Sequence, residues 1–220
     1  MARIYQSVTS DIVIFTIENG SLRVLLIERS DEPFKNQWAL PGGFMLENES
    51  PKKAALRILG EKTGLGNIFI EQLYTFAGSG RDPRGNIITV AYFALTPIKK
   101  IKPDKSGNIQ NPTMFPIKKL PKLAFDHKEI IEYALKRLQA KLEYTNVVYS
   151  LLPNYFTFNE LQKAYEIILG RKLDKRNFRK KFLLLGLIKP TKKIHKGTRQ
   201  RPAQMYRFTE RKQSELKKFF

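Results

Sequence analysis

Residues 157–208 read as two short amphipathic helices in immediate succession, each with its own start and stop signal, followed by a cationic stretch and a strand. Thr157-Phe158-Asn159-Glu160 has the spacing of a capping box. Phe158, Leu161, Tyr165 and Ile168 then recur at helical spacing until Gly170. After Arg171-Lys172-Leu173, Asp174 stands as the N-cap of a second helix that runs to Leu185 and stops at Gly186. Phe178, Phe182 and Leu185 form its inward stripe, whereas Lys175, Arg176, Asn177, Arg179 and Lys180 are left for other faces. Two helices so closely joined fit a helix-turn-helix, whose second helix enters the DNA major groove. Residues 189–201 then read as a cationic loop and 204–208 as a strand, which completes a winged helix.

The charge distribution agrees. The chain holds 40 Lys and Arg against 20 Asp and Glu, a net +20, of which residues 151–220 contribute 19 basic and 5 acidic side chains. The last 70 residues are therefore net +14 and the first 150 net +6. Such a field attracts a polyanion and releases its counterions. A membrane surface could use the same charge, but no long apolar run or basic amphipathic helix of membrane type accompanies it. The expected macromolecular partner is double-stranded DNA. Arg176, Asn177, Arg179 and Lys180, with Lys175 beside them, are expected at the groove, and Lys192, Lys193, Lys196, Arg199 and Arg201 on phosphates.

With 220 residues and 42% apolar content, the chain can build two small cores, expected over residues 1–145 and 146–220. The absence of cysteine removes disulfides, thiol catalysis and Cys-based zinc sites, and is compatible with a reducing compartment. Residues 1–6 lead into a strand-like segment, without the charged start and apolar stretch of a signal peptide. A cytoplasmic protein is expected.

In the first domain, apolar and β-branched residues at 12–17 and 22–27 flank the turn Glu18-Asn19-Gly20-Ser21, a β-hairpin signal. Further strands are expected at 68–76 and 87–95. A helix is expected over 51–63, with Ser50 as N-cap, Pro51 first and Gly64 as stop. A second follows Asp126, whose spacing to Glu129 suggests another capping box, and residues 96–121 read as a long solvent-facing connection. His127 is expected in the first turn of that helix and not as a ligand; His195 lies in the basic wing without a metal-binding partner.

The run Trp38-Ala39-Leu40-Pro41-Gly42-Gly43-Phe44, with Glu49, Arg57, Leu59, Glu61, Gly64 and Leu65 in register after Gly43, resembles the Nudix box of the Nudix hydrolases. The resemblance implies a mixed α+β fold, with an α/β/α sandwich around a mixed sheet. Two acidic positions of the pattern are replaced, by Ile58 and Lys62. On a helix, positions 58, 61 and 62 share one face, where three carboxylates would converge on a hard dication. A unit positive charge at about 4 Å from a dication opposes binding by as much as roughly 8 kcal/mol at an effective dielectric near 20. Neither catalysis nor a bound metal or other cofactor is therefore expected. Glu49 and Glu61 are either residual metal or phosphate contacts or a loop and a helix carboxylate paired with Arg57 or Lys62. Arg81-Asp82-Pro83-Arg84-Gly85 presents two guanidiniums beside a rigid turn, suited either to phosphate or to an internal Arg–Asp pair. The candidate ligand set is Arg57, Glu61, Arg81, Asp82 and Arg84.

Taken with the runs Glu71 to Phe76, Leu173-Asp174-Lys175-Arg176-Asn177-Phe178-Arg179 and Tyr206-Arg207-Phe208, the whole chain resembles the Nudix-related transcriptional regulators of the NrtR-like branch. That resemblance implies a homodimeric repressor of NAD-metabolism genes. It would read a near-palindromic operator and sense ADP-ribose or a related NAD-derived nucleotide. A sister group resembles arabinose-responsive regulators of sugar use, and an active ADP-ribose pyrophosphatase or an RNA-binding scaffold are the remaining alternatives.

Overall fold

The computed structural model describes residues 7–66, 68–101, 112–195 and 202–215. The chain divides into two compact units, the first ending at Leu135 within a helix and the second taking up the chain from Lys136 together with the turn residues Asn19–Ser21.

In the first unit, β1 (Ser7–Glu18) and β2 (Ser21–Glu28) are neighbours joined by a tight turn. Asn19 and Gly20 there have φ of 49° and 73°. Two successive positive φ values give a type I′ turn, whose twist matches that of the flanking strands; Asn and Gly tolerate it at least cost. The short strands β3 (Trp38–Ala39) and β4 (Gly42–Phe44) precede α1 (Pro51–Thr63), after which β5 (Ile70–Phe76) and β6 (Ile87–Leu95) follow. Then come β7 (Thr113–Pro116) and α2 (His127–Lys141). The sheet runs β3-β2-β1-β6-β5, with β4 also on β1 and β7 also on β2. It is mixed: β1 is parallel to β6 from Ser7↔Ile87 to Phe15↔Leu95, and β5 is antiparallel to β6.

The helix α1 has the expected bounds and caps. Ser50 accepts the Lys53 N–H, Pro51 opens the helix and Gly64 ends it at φ 65°. Its apolar stripe Ala54, Ala55, Ile58 and Leu59 joins Ile12, Ile14, Leu25, Ile27 and Tyr92 of the sheet in one core. Each fully buried Leu or Ile there contributes about 1.5–3 kcal/mol.

The two- and three-residue strands β3 and β4 carry too few residues to show a period in the sequence. Two expectations for this unit are corrected. The connection at 96–121 contains β7, held to β2 through the register Arg23↔Pro116 to Leu26↔Thr113; residues 102–111 lie outside the described residues. No capping-box bond between Asp126 and Glu129 is present among the described residues: both oxygens of the Asp126 carboxylate accept from Arg81, a charged donor that outcompetes a backbone amide.

The second unit contains β8 (Phe156–Thr157), α3 (Phe158–Leu169), α4 (Lys175–Leu184), β9 (Ile188–His195) and β10 (Ala203–Phe208). The strands form a sheet in the order β8-β10-β9. The capping box at Thr157 and Glu160 forms in both directions and Gly170 ends α3 at φ 70°. Phe156, Tyr165 and Phe182 are wholly buried. Around them Phe158, Phe178 and Phe182 meet at ring separations of 5.5–6.4 Å. The cationic stretch expected as loop begins instead as β9, paired antiparallel to β10.

Candidate ligand cavity and nucleic-acid interface

A cavity of about 270 Å³ opens in the first unit, between the β1–β4 ladder, the segment after β2 and the first turn of α2. Arg81, Asp82 and Arg84 all line it; Arg57 and Glu61 do not. Arg57 instead donates to both oxygens of Glu49, at 3.0 and 2.8 Å, and to Glu61 at 3.1 Å. Those bonds hold the Glu49 carboxyl below its usual value. The ion-pair alternative is the one the structure displays for these three residues. Ile58 is 1% exposed and faces the core, whereas Lys62 lines the cavity and makes no ion pair among the described residues.

The two turn arginines are both braced by carboxylates. Arg81 makes a bidentate pair with Asp126, 2.8 Å at each contact, and also donates to the Ile87 carbonyl. Arg84 makes a bidentate pair with Asp82 at 2.9 and 2.6 Å. Burial works to raise the Asp82 carboxyl, but the hydrogen bonds from Arg84 overcome it and hold it below the ordinary value. Among the described residues the Arg29 guanidinium, which the sequence reading passed over, donates to the carbonyls of Pro33 and Asp31, at 2.8 and 3.1 Å. Burial and then the nearby Arg84 charge lower its pKa, so this guanidinium gains from an added anion.

Aromatic rings form the other wall. Arg29 and Arg84 stand 4.8 and 5.2 Å from the Phe125 ring centroid, and Arg84 also lies 5.1 Å from Phe44. Phe125 and its edge-to-face neighbour Phe34 have φ of 53° and 66°. A bulky residue in the left-handed region costs about 1–3 kcal/mol, and such strain is concentrated at binding sites. His127 stands in the first turn of α2, as expected, and is buried, and it also lines the cavity. Its Nδ1 accepts the Leu40 N–H at 2.9 Å, and burial lowers its pKa. The neutral ring must then carry its proton on Nε2. Asp11 was also missed. An acidic residue heading the otherwise apolar run Asp11-Ile12-Val13-Ile14-Phe15 is the signal that could have found it.

In the second unit, the turn between α3 and α4 is locked by Glu166. Its carboxylate accepts from the Leu173 N–H at 3.0 Å, from Gln162 at 3.0 Å and from Lys172 at 3.2 Å. Those bonds lower its pKa, the backbone donor most of all. Beyond the turn, Lys175, Arg176, Asn177 and Lys180 are exposed on α4. Arg179 is exposed as well, and its guanidinium also bonds the Tyr206 hydroxyl at 2.9 Å and lies 4.9 Å from the Phe158 ring, which ties it to the wing strand. Lys192 and Lys193 are exposed on β9, with Lys193 Nζ 3.7 Å from the Tyr155 ring centroid. Lys196, Arg199 and Arg201 lie outside the described residues. Among the described residues no cluster of His, Asp and Glu could hold a metal ion, and no helix is long and apolar enough to cross a membrane.

Comparison with known proteins matches residues 8–134 to the NUDIX domain and residues 148–208 to the NrtR DNA-binding winged helix domain. The ADPR responsive transcriptional repressor NtrR of Acinetobacter baylyi is 43% identical over 204 residues, covering 91% of this chain and 81% of that one. The crystal structure of Shewanella oneidensis NrtR complexed with a 27mer DNA superposes with a TM-score of 0.82 at 36% identity, covering 92% and 93% of the two chains. The NUDIX domain of the same protein, crystallised with ADP ribose, matches 62% of this chain and 90% of its own at 39% identity, with a TM-score of 0.56. A mixed-sheet domain with its Nudix helix, followed by a three-stranded winged helix, thus places this chain in the NrtR family of Nudix-related transcriptional regulators.

Proposed function

We propose that this chain is a transcriptional repressor whose Nudix domain senses ADP-ribose or a related NAD-derived nucleotide and hydrolyses nothing. On this reading residues 1–145 form the effector domain and residues 146–220 the DNA-binding domain. Two copies read a near-palindromic operator of NAD-metabolism genes in the cytoplasm, and effector binding weakens that grip.

The observation that carries the reading is the fate of the two replaced positions. Ile58 is sealed in the core and Lys62 brings an ammonium to the cavity, so the site offers cations to an anion directly. Arg29 and Lys62, neither hydrogen-bonded to a carboxylate among the described residues, are the primary phosphate contacts; Arg84 can exchange Asp82 for phosphate. Binding energy is then free to bias the conformation of a dimer. A coupling of about 1–3 kcal/mol shifts operator affinity about 5- to 150-fold, and reciprocally DNA weakens the effector. Arg176, Asn177 and Lys180, exposed on α4, are the base-reading set, with Lys192 and Lys193 on phosphates.

Selection of bound duplexes from a random pool supplies the operator for the test. Titration of ADP-ribose into that complex should release DNA, and incubation with ADP-ribose and Mg²⁺ or Mn²⁺ should leave the nucleotide intact. Release by arabinose alone would transfer the chain to the sugar-responsive group, and metal-dependent production of AMP would make it a pyrophosphatase.

A further inference from the structure

Asp11 is 6% exposed and lines the cavity, yet its carboxylate makes no hydrogen bond among the described residues. Two donors face it from just beyond bonding range: His127 Nε2 lies 3.9 Å from Oδ1, and Arg81 Nη2 lies 4.0 Å from Oδ2. Neither donor can close the gap by itself. The imidazole is fixed by the bond from Leu40 to Nδ1, and the guanidinium by its bidentate pair with Asp126. The carboxylate is equally confined, because its Oδ1 packs against Gly42 where any Cβ would stand 1.8 Å away. A carboxylate held this way keeps its acceptor capacity for a group that enters the cavity.

Both gaps have the width that one oxygen atom bridges, since an oxygen about 2.8 Å from each side closes a span near 4 Å. The bridging group must donate to Asp11 and accept from His127 Nε2–H or from Arg81. Water does both, and so does a ligand hydroxyl that takes its place; a phosphate oxygen cannot donate and is repelled by the carboxylate, and an ammonium cannot accept. Two such hydroxyls on adjacent carbons would meet the two oxygens of one carboxylate, which is how acidic residues read a ribose in dinucleotide sites.

We infer that Asp11, positioned between His127 and Arg81, reads the vicinal hydroxyls of a ribose in the effector, and so places that sugar at the β1–β4 end of the cavity with the phosphates toward Arg29 and Lys62. The inference rests on the nucleotide-effector reading above. It adds a specificity that the phosphate contacts lack: ribose-bearing ligands are separated from their deoxy counterparts.

The test is calorimetric titration of the full chain, wild type and Asp11→Asn, with ADP-ribose and with the two analogues that lack the 2-hydroxyl of one ribose or the other. Asn preserves shape while removing the charge and one acceptor. Wild type should bind one deoxy analogue at least about tenfold more weakly than ADP-ribose. Asp11→Asn should lose a similar factor for ADP-ribose and no longer distinguish that analogue, because the two changes remove the same contact. The analogue comparison on wild type needs no variant to fold. ADP-ribose bound equally by wild type and variant, or both deoxy analogues bound as tightly as ADP-ribose, would overturn the diol assignment while leaving the effector reading intact. Failure of ADP-ribose to bind wild type would overturn both.

Discussion

Replacing Ile58 by glutamate would restore one carboxylate of the Nudix pattern at the expense of the core. Ile58 is 1% exposed among Ile12, Leu25, Leu59 and Tyr92, with its side chain 3.4 Å from the position of a Cβ on Gly43. Losing its buried hydrocarbon forfeits about 1.5–3 kcal/mol. A carboxyl in that place escapes the greater cost of a buried charge by taking up a proton. At pH 7, protonating a group whose unfolded pKa is about 4.3 costs about 3.7 kcal/mol, at 1.36 kcal/mol per pH unit. The total of about 5–7 kcal/mol is comparable to the whole stability of an ordinary domain, about 5–15 kcal/mol. The folded pKa of the new carboxyl is raised, so the penalty is full at neutral pH, shrinks as pH falls toward the unfolded pKa and is absent below it. Urea unfolding of variant and wild type at pH 7 and pH 5 should therefore give a stability difference that narrows by about 2.7 kcal/mol at the lower pH. A difference independent of pH, or none at pH 7, would refute the placement of this side chain in the core. It would also reopen Ile58→Glu with Lys62→Glu as a route back to a metal site, which the packing of Ile58 now opposes.

Other substitutions separate structural from recognition roles. Gly42→Ala places a methyl 1.8 Å from Asp11 Oδ1 and 3.3 Å from the Ser10 carbonyl, so it should cost about 1–3 kcal/mol in denaturant unfolding. Gly43→Ala meets only Ile58 at 3.4 Å and should cost less than about 1 kcal/mol. The side chains of Arg81 and Asp126 are 8% and 16% exposed, and Arg81→Ala should destabilise by about 3–5 kcal/mol because it strands a buried carboxylate. Arg84→Ala strands the Asp82 carboxylate, whose side chain is 3% exposed, and should lower the melting temperature as well as the affinity in ADP-ribose titration. In the second unit, Arg179→Ala should lower the melting temperature and weaken operator and random duplex alike, through its lost contacts to Phe158 and Tyr206. Arg176→Ala should leave melting unchanged and cost about 1–3 kcal/mol on the operator alone in a mobility-shift assay.

Local signals carried most of the architecture. The helix Pro51–Thr63 and the strand Ile87–Leu95 have the bounds that caps, turns and periodicity indicate, and the capping box at Thr157 opens α3 where expected. Such devices act over three or four residues, so their physics is written in consecutive letters. The eroded Nudix box and the basic winged helix were legible for the same reason. Strands of two or three residues, and β7 with its partner some ninety positions earlier, have no local signature; only pairing makes them strands. The same limit governs the site. Which carboxylate meets which guanidinium was undetermined in one dimension. Asp126 looked like a helix cap because its neighbours suit one, yet the fold brings Arg81 from 45 residues away and the charged pair prevails. Asp11, Arg29 and the pair Phe125 and His127 come from three separate segments, and each has an ordinary local reading as strand, loop or helix start. Their convergence on one cavity follows from sheet order and from the seat of α2, because burial and hydrogen bonding are settled between elements that only the tertiary structure brings together.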